Sequence, residues 1–176
     1  MERRVKVDFL YSLDLDYGAR VIPAGTYVME FRIPHEMRVL MRSALMADKV
    51  GTLAVGTIGL DVSRVSEIAK QVFDVCVLLD GATVDDITEF FAEFSRMKAE
   101  RLIRGKPEIE ARTVVDSIGM ALGLMRGVTG EMRLLVDAKK GYNDFNSGYI
   151  SKGVRYQKTY HRVNILSIGV LNRLFG

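Results

Sequence analysis

The chain has 176 residues, of which 48% are hydrophobic and 27% charged. That composition is that of an ordinary globular chain rather than a disordered one, and the length is enough for a self-sufficient core, so residues 1–176 read as one domain. The net charge of +3 hides an asymmetry. Residues 139–176 hold Lys139, Lys140, Lys152, Arg155, Lys158, Arg162 and Arg173 against Asp144, a net +6, and the rest of the chain is left at −3.

The opening third reads as strands. In "RVKVDFLYSL", Val5, Val7, Phe9 and Tyr11 alternate onto one face. In "DYGARVIPAGTYVMEFRI", two apolar stretches flank the turn-forming Pro23-Ala24-Gly25, and Tyr27, Met29, Phe31 and Ile33 alternate with Val28, Glu30 and Arg32, which predicts an antiparallel hairpin. After Pro34, residues Met37, Leu40, Met41, Ala44 and Leu45 fall at helical spacing, and Gly51 closes that predicted helix. The most apolar passage, "VGTLAVGTIGL", carries three glycines and is too short to span a bilayer.

The middle predicts three to four helices. Val62, Val65, Ile68, Ala69, Val72, Cys76 and Leu79 share a helical face, although "VFDVCVLL" also suits a strand. "TVDDITEFFAEFSRMKAERLIRG" is the clearest helix. Thr83 is placed to cap it, Asp85 and Asp86 favour its positive end, and Arg101 and Arg104 favour its negative end. Ile87, Phe90, Phe91, Phe94 and Met97 form its apolar stripe. Gly105 and Pro107 separate it from a further helix, "PEIEARTVVDSIGMALGLMRG", and "TGEMRLLVDAKK" is a short helix or a strand.

The last segment changes character. Gly141, Gly148 and Gly153, with Asn143, Asp144, Asn146 and Ser147, are loop chemistry, and "GYISKGVRYQ" suits a hairpin about Lys152-Gly153. "VNILSIGVLNRLF" then closes the chain as a short strand or helix. The fold class expected is α+β: an N-terminal hairpin, a helical middle and a basic C-terminal hairpin.

That basic end is the principal candidate site. Tyr142, Tyr149, Tyr156 and Tyr160 interleave with Lys139, Lys140, Lys152, Arg155, Lys158 and Arg162. Cations that neutralise phosphate, beside rings on which bases stack, are what a single-stranded nucleic acid requires of a protein surface. The ordinary reading accounts for the same residues, because tyrosine suits strands and lysine suits strand edges in a half-buried sheet. Gly119, Gly123 and Gly127, spaced by four, mark a helix face that permits close approach of another backbone. They suit a tight helix crossing inside the protein or a contact between copies of the chain; the second is favoured here, and with it a homo-oligomer.

The other constellations are thinner. Asp116, Asp137 and Lys139 are the residue types of a metal-dependent nuclease, and Asp14 and Asp16 form a second carboxylate pair. His35, His161 and Cys76 make no zinc-ligand spacing, and Cys76 reads as a small buried hydrophobe. No phosphate loop, dinucleotide fingerprint or nucleophile elbow is present in the sequence, so no cofactor or resident metal is expected. A lone cysteine and an N-terminus without a long apolar run suggest a soluble, cytoplasmic protein that is not membrane-bound. The sequence thus favours a non-enzymatic, self-associating nucleic-acid-binding protein. A structural or assembly subunit and a metal-dependent nuclease are the alternatives.

Overall fold

The computed structural model describes residues 18–28, 30–126, 140, 143, 144 and 147. Among these, four strands form two small antiparallel sheets and four helices form the body, a mixed α+β architecture. The strand read at 5–11, the "TGEMRLLVDAKK" element apart from its last residue Lys140, the hairpin about Lys152-Gly153 and the final apolar segment lie outside the described residues.

The two sheets are successive stretches of one β-ribbon. Strand β1 (Ala19–Ile22) pairs with β4 (Met37–Leu40), and β2 (Tyr27–Val28) pairs with β3 (Phe31–Arg32). The expected hairpin about Pro23-Ala24-Gly25 is therefore corrected: that cluster turns the chain, but it does not join paired strands. The Thr26 amide donates to the Pro23 carbonyl at 3.3 Å, and Gly25 adopts φ +86°, the positive value that the third residue of a type II turn needs. The amide of Gly25 donates to the Ile33 carbonyl while the Ile33 amide donates to the Thr26 carbonyl, both at 2.8 Å. Two residues therefore face one, as in a bulge, and the ladder resumes beyond it.

A second correction concerns Met37–Leu40. The helix expected to begin after Pro34 starts only at Arg42, because Met37, Arg38, Val39 and Leu40 pair across the ribbon with Ile22, Val21, Arg20 and Ala19. No residue of the four strands is buried. The ribbon is an arm rather than a layer of the core.

The core belongs to α1 (Arg42–Thr52), α2 (Val65–Asp80), α3 (Val84–Gly105) and α4 (Ala111–Arg126), with the loop that follows α1. Met46, Ala47 and Val50 of α1 meet Ile68, Val72, Val75 and Cys76 of α2, Phe90, Phe94 and Met97 of α3, and Val114, Ile118, Ala121 and Leu122 of α4. "VFDVCVLL" is helical, since Val72, Val75 and Cys76 reach this core only at helical spacing. Val62 lies before α2 and is exposed; there the Asp61 carboxylate takes the Ser63 amide at 2.8 Å and its hydroxyl at 2.6 Å. Helix α3 carries the expected cap. Asp86 N–H donates to Thr83 Oγ1 at 3.1 Å, and the Asp86 carboxylate accepts from Thr83 N–H at 2.9 Å, a capping box.

The glycine-rich passage after α1 is folded into the core rather than exposed as a loop. Leu53, Ala54 and Val55 are buried, Gly56 takes φ +69°, and a Cβ at Gly59 would stand 2.5 Å from the Thr52 carbonyl oxygen. Thr57 Oγ1 lies 3.0 Å from Ser117 Oγ and ties this loop to α4. No described helix is long and apolar enough to cross a membrane.

Candidate nucleic-acid interface

Of the ten residues singled out at the basic end, Lys140 is described. It is exposed, and its backbone is helical, as are those of exposed Asn143, Asp144 and Ser147. The Ser147 hydroxyl donates to the Asp144 carbonyl at 3.1 Å. For these residues the loop reading is corrected. Lys139, Tyr142, Tyr149, Lys152, Arg155, Tyr156, Lys158, Tyr160 and Arg162 lie outside the described residues.

The helical body shows where positive charge is already engaged. Lys49 meets Asp74 at 3.2 Å between α1 and α2, and Arg101 meets Asp48 at 2.5 Å between α3 and α1. Arg42 lies 3.9 Å from Asp86, Arg64 pairs with Glu67 at 2.5 Å, Arg104 with Glu100 at 2.9 Å, and Arg96 with Glu93. Each such surface pair stabilises little, about 0–1 kcal/mol. Their consequence here is local neutralisation of these six cations. The Asp86 carboxyl is held below its ordinary range first by the Thr83 amide and then by the Thr83 hydroxyl. Asp61 is lowered chiefly by the Ser63 hydroxyl and next by the Ser63 amide. Both shifts come from caps and turns, not from a catalytic cluster.

The β-ribbon presents an exposed surface that the sequence reading did not select. Tyr27 is 69% and Phe31 73% exposed, with Val21, Val28, Met37 and Leu40 also open. Arg32 faces Tyr27 across the strands, Arg38 faces Val21, and Arg20 faces Val39. The signal was present in the alternation of the segment, but alternation normally implies that one face is covered, and here neither is.

The remaining candidates separate. On α4, the core face carries Val114, Val115, Ser117, Ile118, Ala121 and Leu122, whereas Asp116, Gly119 and Met120 are exposed and Gly123 is half-buried. The glycine face thus turns away from the core; Gly127 lies outside the described residues. Of the nuclease set, Asp116 is on that exposed face, and Asp137 and Lys139, like Asp14, Asp16 and His161, are outside. Cys76 is fully buried among α2 core residues, and His35 is exposed on the ribbon. Among the described residues, no group of three His, Cys, Asp or Glu side chains is placed to hold a metal ion. Compared with protein-family models, with curated proteins and with solved structures, the chain matches none.

Proposed function

We propose that this chain is a non-enzymatic, self-associating protein that binds single-stranded DNA or RNA through residues 139–162. The observation that carries the reading is the partition of charge. Six cations of the helical body, Arg42, Lys49, Arg64, Arg96, Arg101 and Arg104, are matched by neighbouring carboxylates, whereas the surplus of the chain is concentrated as +6 in residues 139–176, interleaved with tyrosines. A polyanion gains most by releasing counterions to unmatched cations, and tyrosine rings add about 1–3 kcal/mol per stacked base.

The test is anisotropy of a fluorescent oligothymidylate and of a matching oligouridylate, titrated with protein at low and at raised salt. Binding should weaken steeply with salt, and Lys140, Arg155, Lys158 and Arg162 changed together to Gln should flatten that dependence. Absence of salt-sensitive binding to either strand overturns the proposal.

A second reading, an assembly subunit that contacts another protein, is favoured by the exposed apolar ribbon. It predicts an oligomer whose sedimentation is unchanged by the same four substitutions. The reading as a metal-dependent nuclease predicts Mg²⁺-dependent cleavage that Asp137→Ala abolishes.

A further inference from the structure

The outward side of α3 has an order that packing on its own core does not require. Val84, Thr88, Ala92, Ser95, Ala99 and Ile103 are all exposed. At 3.6 residues per turn they fall within one sector of about 100°, opposite the buried Phe90, Phe94 and Met97. A helix with one buried face ordinarily carries charge on the other, yet none of these six is charged. Val84 is 82% and Ile103 76% exposed, the two most open large apolar side chains among the described residues, and they stand at opposite ends of this one face.

The face is also symmetric about its own midpoint. The point between Glu93 and Phe94 is equally far along the helix from Val84 and Ile103, from Thr88 and Ala99, and from Ala92 and Ser95. A two-fold axis through that point, at right angles to the helix, lays α3 antiparallel to the same helix of a second copy. Each of the six is then level with another of the six, and the assembly closes. Small side chains occupy the centre, where two helix axes can approach closely, and Val84 is level with Ile103 of the other copy about 14 Å from the axis.

Charge selects this direction. The first half of α3 carries Asp85, Asp86, Glu89 and Glu93, and the second half carries Arg96, Lys98, Arg101 and Arg104 with Glu100. A parallel pair sets acidic half beside acidic half, whereas the antiparallel pair sets each beside its opposite. Glu89 and Arg96, both exposed, border the face along the same edge. The two-fold axis brings Glu89 of each copy to within about 3 Å of the level of Arg96 of the other. Within its own chain Glu89 accepts from the Ser43 hydroxyl at 3.1 Å, and Arg96 pairs with Glu93. A carboxylate and a guanidinium each have several bonding sites, so neither contact prevents a further one. Resting on the self-association within the proposed function, we infer that the chain dimerises through this face. Ala92 and Ser95 lie at the crossing, and Glu89 meets Arg96 of the other copy twice.

Charge reversal tests the pairing. In a homodimer Glu89→Arg sets guanidinium against guanidinium twice, and Arg96→Glu sets carboxylate against carboxylate twice. Each should weaken association about tenfold or more in sedimentation velocity. An equimolar mixture of the two variants restores opposite charges at both contacts and should recover the wild-type dimer; failure to recover overturns the pairing. Ala92→Glu, at an exposed position beside the axis, should weaken association at least as much with an unchanged far-UV spectrum. A wild-type chain that stays monomeric at all concentrations overturns self-association altogether, while the oligothymidylate titration still decides nucleic-acid binding by itself. A wild-type oligomer indifferent to all three substitutions overturns this face alone and points to another, such as that of Gly119.

Discussion

Gly51→Ala opposes two known effects at one atom. Gly51 is buried near the end of α1, and a Cβ there would collide with the Met97 methyl and stand 2.9 Å from its sulfur, with Arg101 Nη1 at 3.3 Å. Alanine in place of glycine stabilises a helix by at most about 1 kcal/mol. Overpacking a filled core costs about 1–3 kcal/mol, and Met97 is itself fully buried among α1 and α3 neighbours, so its flexibility does not provide an exit. The substitution should therefore be neutral to destabilising by about 2 kcal/mol, the difference of those two terms. Met97→Ala alone should cost about 2–5 kcal/mol, but it opens the space that the new methyl needs. In that background Gly51→Ala should turn stabilising by up to about 1 kcal/mol, so the double-mutant cycle returns a coupling of about 1–3 kcal/mol. Urea unfolding followed by far-UV circular dichroism measures all four corners. Equal effects of Gly51→Ala in the two backgrounds would refute the close packing of α1 on α3.

Three further outcomes follow from the caps and the buried hydroxyls. Thr83→Ala removes the acceptor for Asp86 N–H and should cost about 1 kcal/mol in urea unfolding. Asp86 has a folded pKa below its ordinary 3.8, so its stabilising effect is complete above 3.8 and disappears as pH falls through the folded value. The gap in urea midpoint between wild type and Asp86→Asn should accordingly be constant near neutrality and close in acid; a gap that widens in acid contradicts this sign. Thr57 and Ser117 have two hydroxyl protons for the Ala54 carbonyl, the Val114 carbonyl and each other. Removing one hydroxyl, as in Thr57→Val or Ser117→Ala, should cost about 1–3 kcal/mol by thermal unfolding, and removing both should cost less than the sum.

The helices were legible wherever local chemistry and apolar spacing agreed. Thr83, Asp86 and the phenylalanine stripe specify α3 within a single stretch of chain, and the structure keeps that assignment down to the capping hydrogen bonds. Met37–Leu40 was not legible, because four residues are too few to separate a period of two from one of 3.6. Met37, Leu40 and Met41 satisfy helical spacing as well as they satisfy a strand, and the deciding partner, β1, lies beyond the tip of the ribbon in sequence. The same limit affected Pro23-Ala24-Gly25: turn chemistry announces a change of direction but not which strands it will join. For the site, composition supplied residue types at 139–162, whereas the exposure of Tyr27 and Phe31 came only from the three-dimensional arrangement. The partner that would cover a strand face has no signature in the strand itself.

The β-ribbon keeps one register from Ala19 opposite Leu40 to Val28 opposite Phe31, although four residues on each side interrupt the rungs between Ile22 and Tyr27 and between Arg32 and Met37. Equal detours cancel. Deleting one residue from either detour would turn the outer rungs over, exchanging the side that shows Tyr27 for the side that shows Phe31. Length changes in this part of the chain should therefore be tolerated in matched pairs, one on each strand, and single ones should be selected against even where no individual side chain is essential.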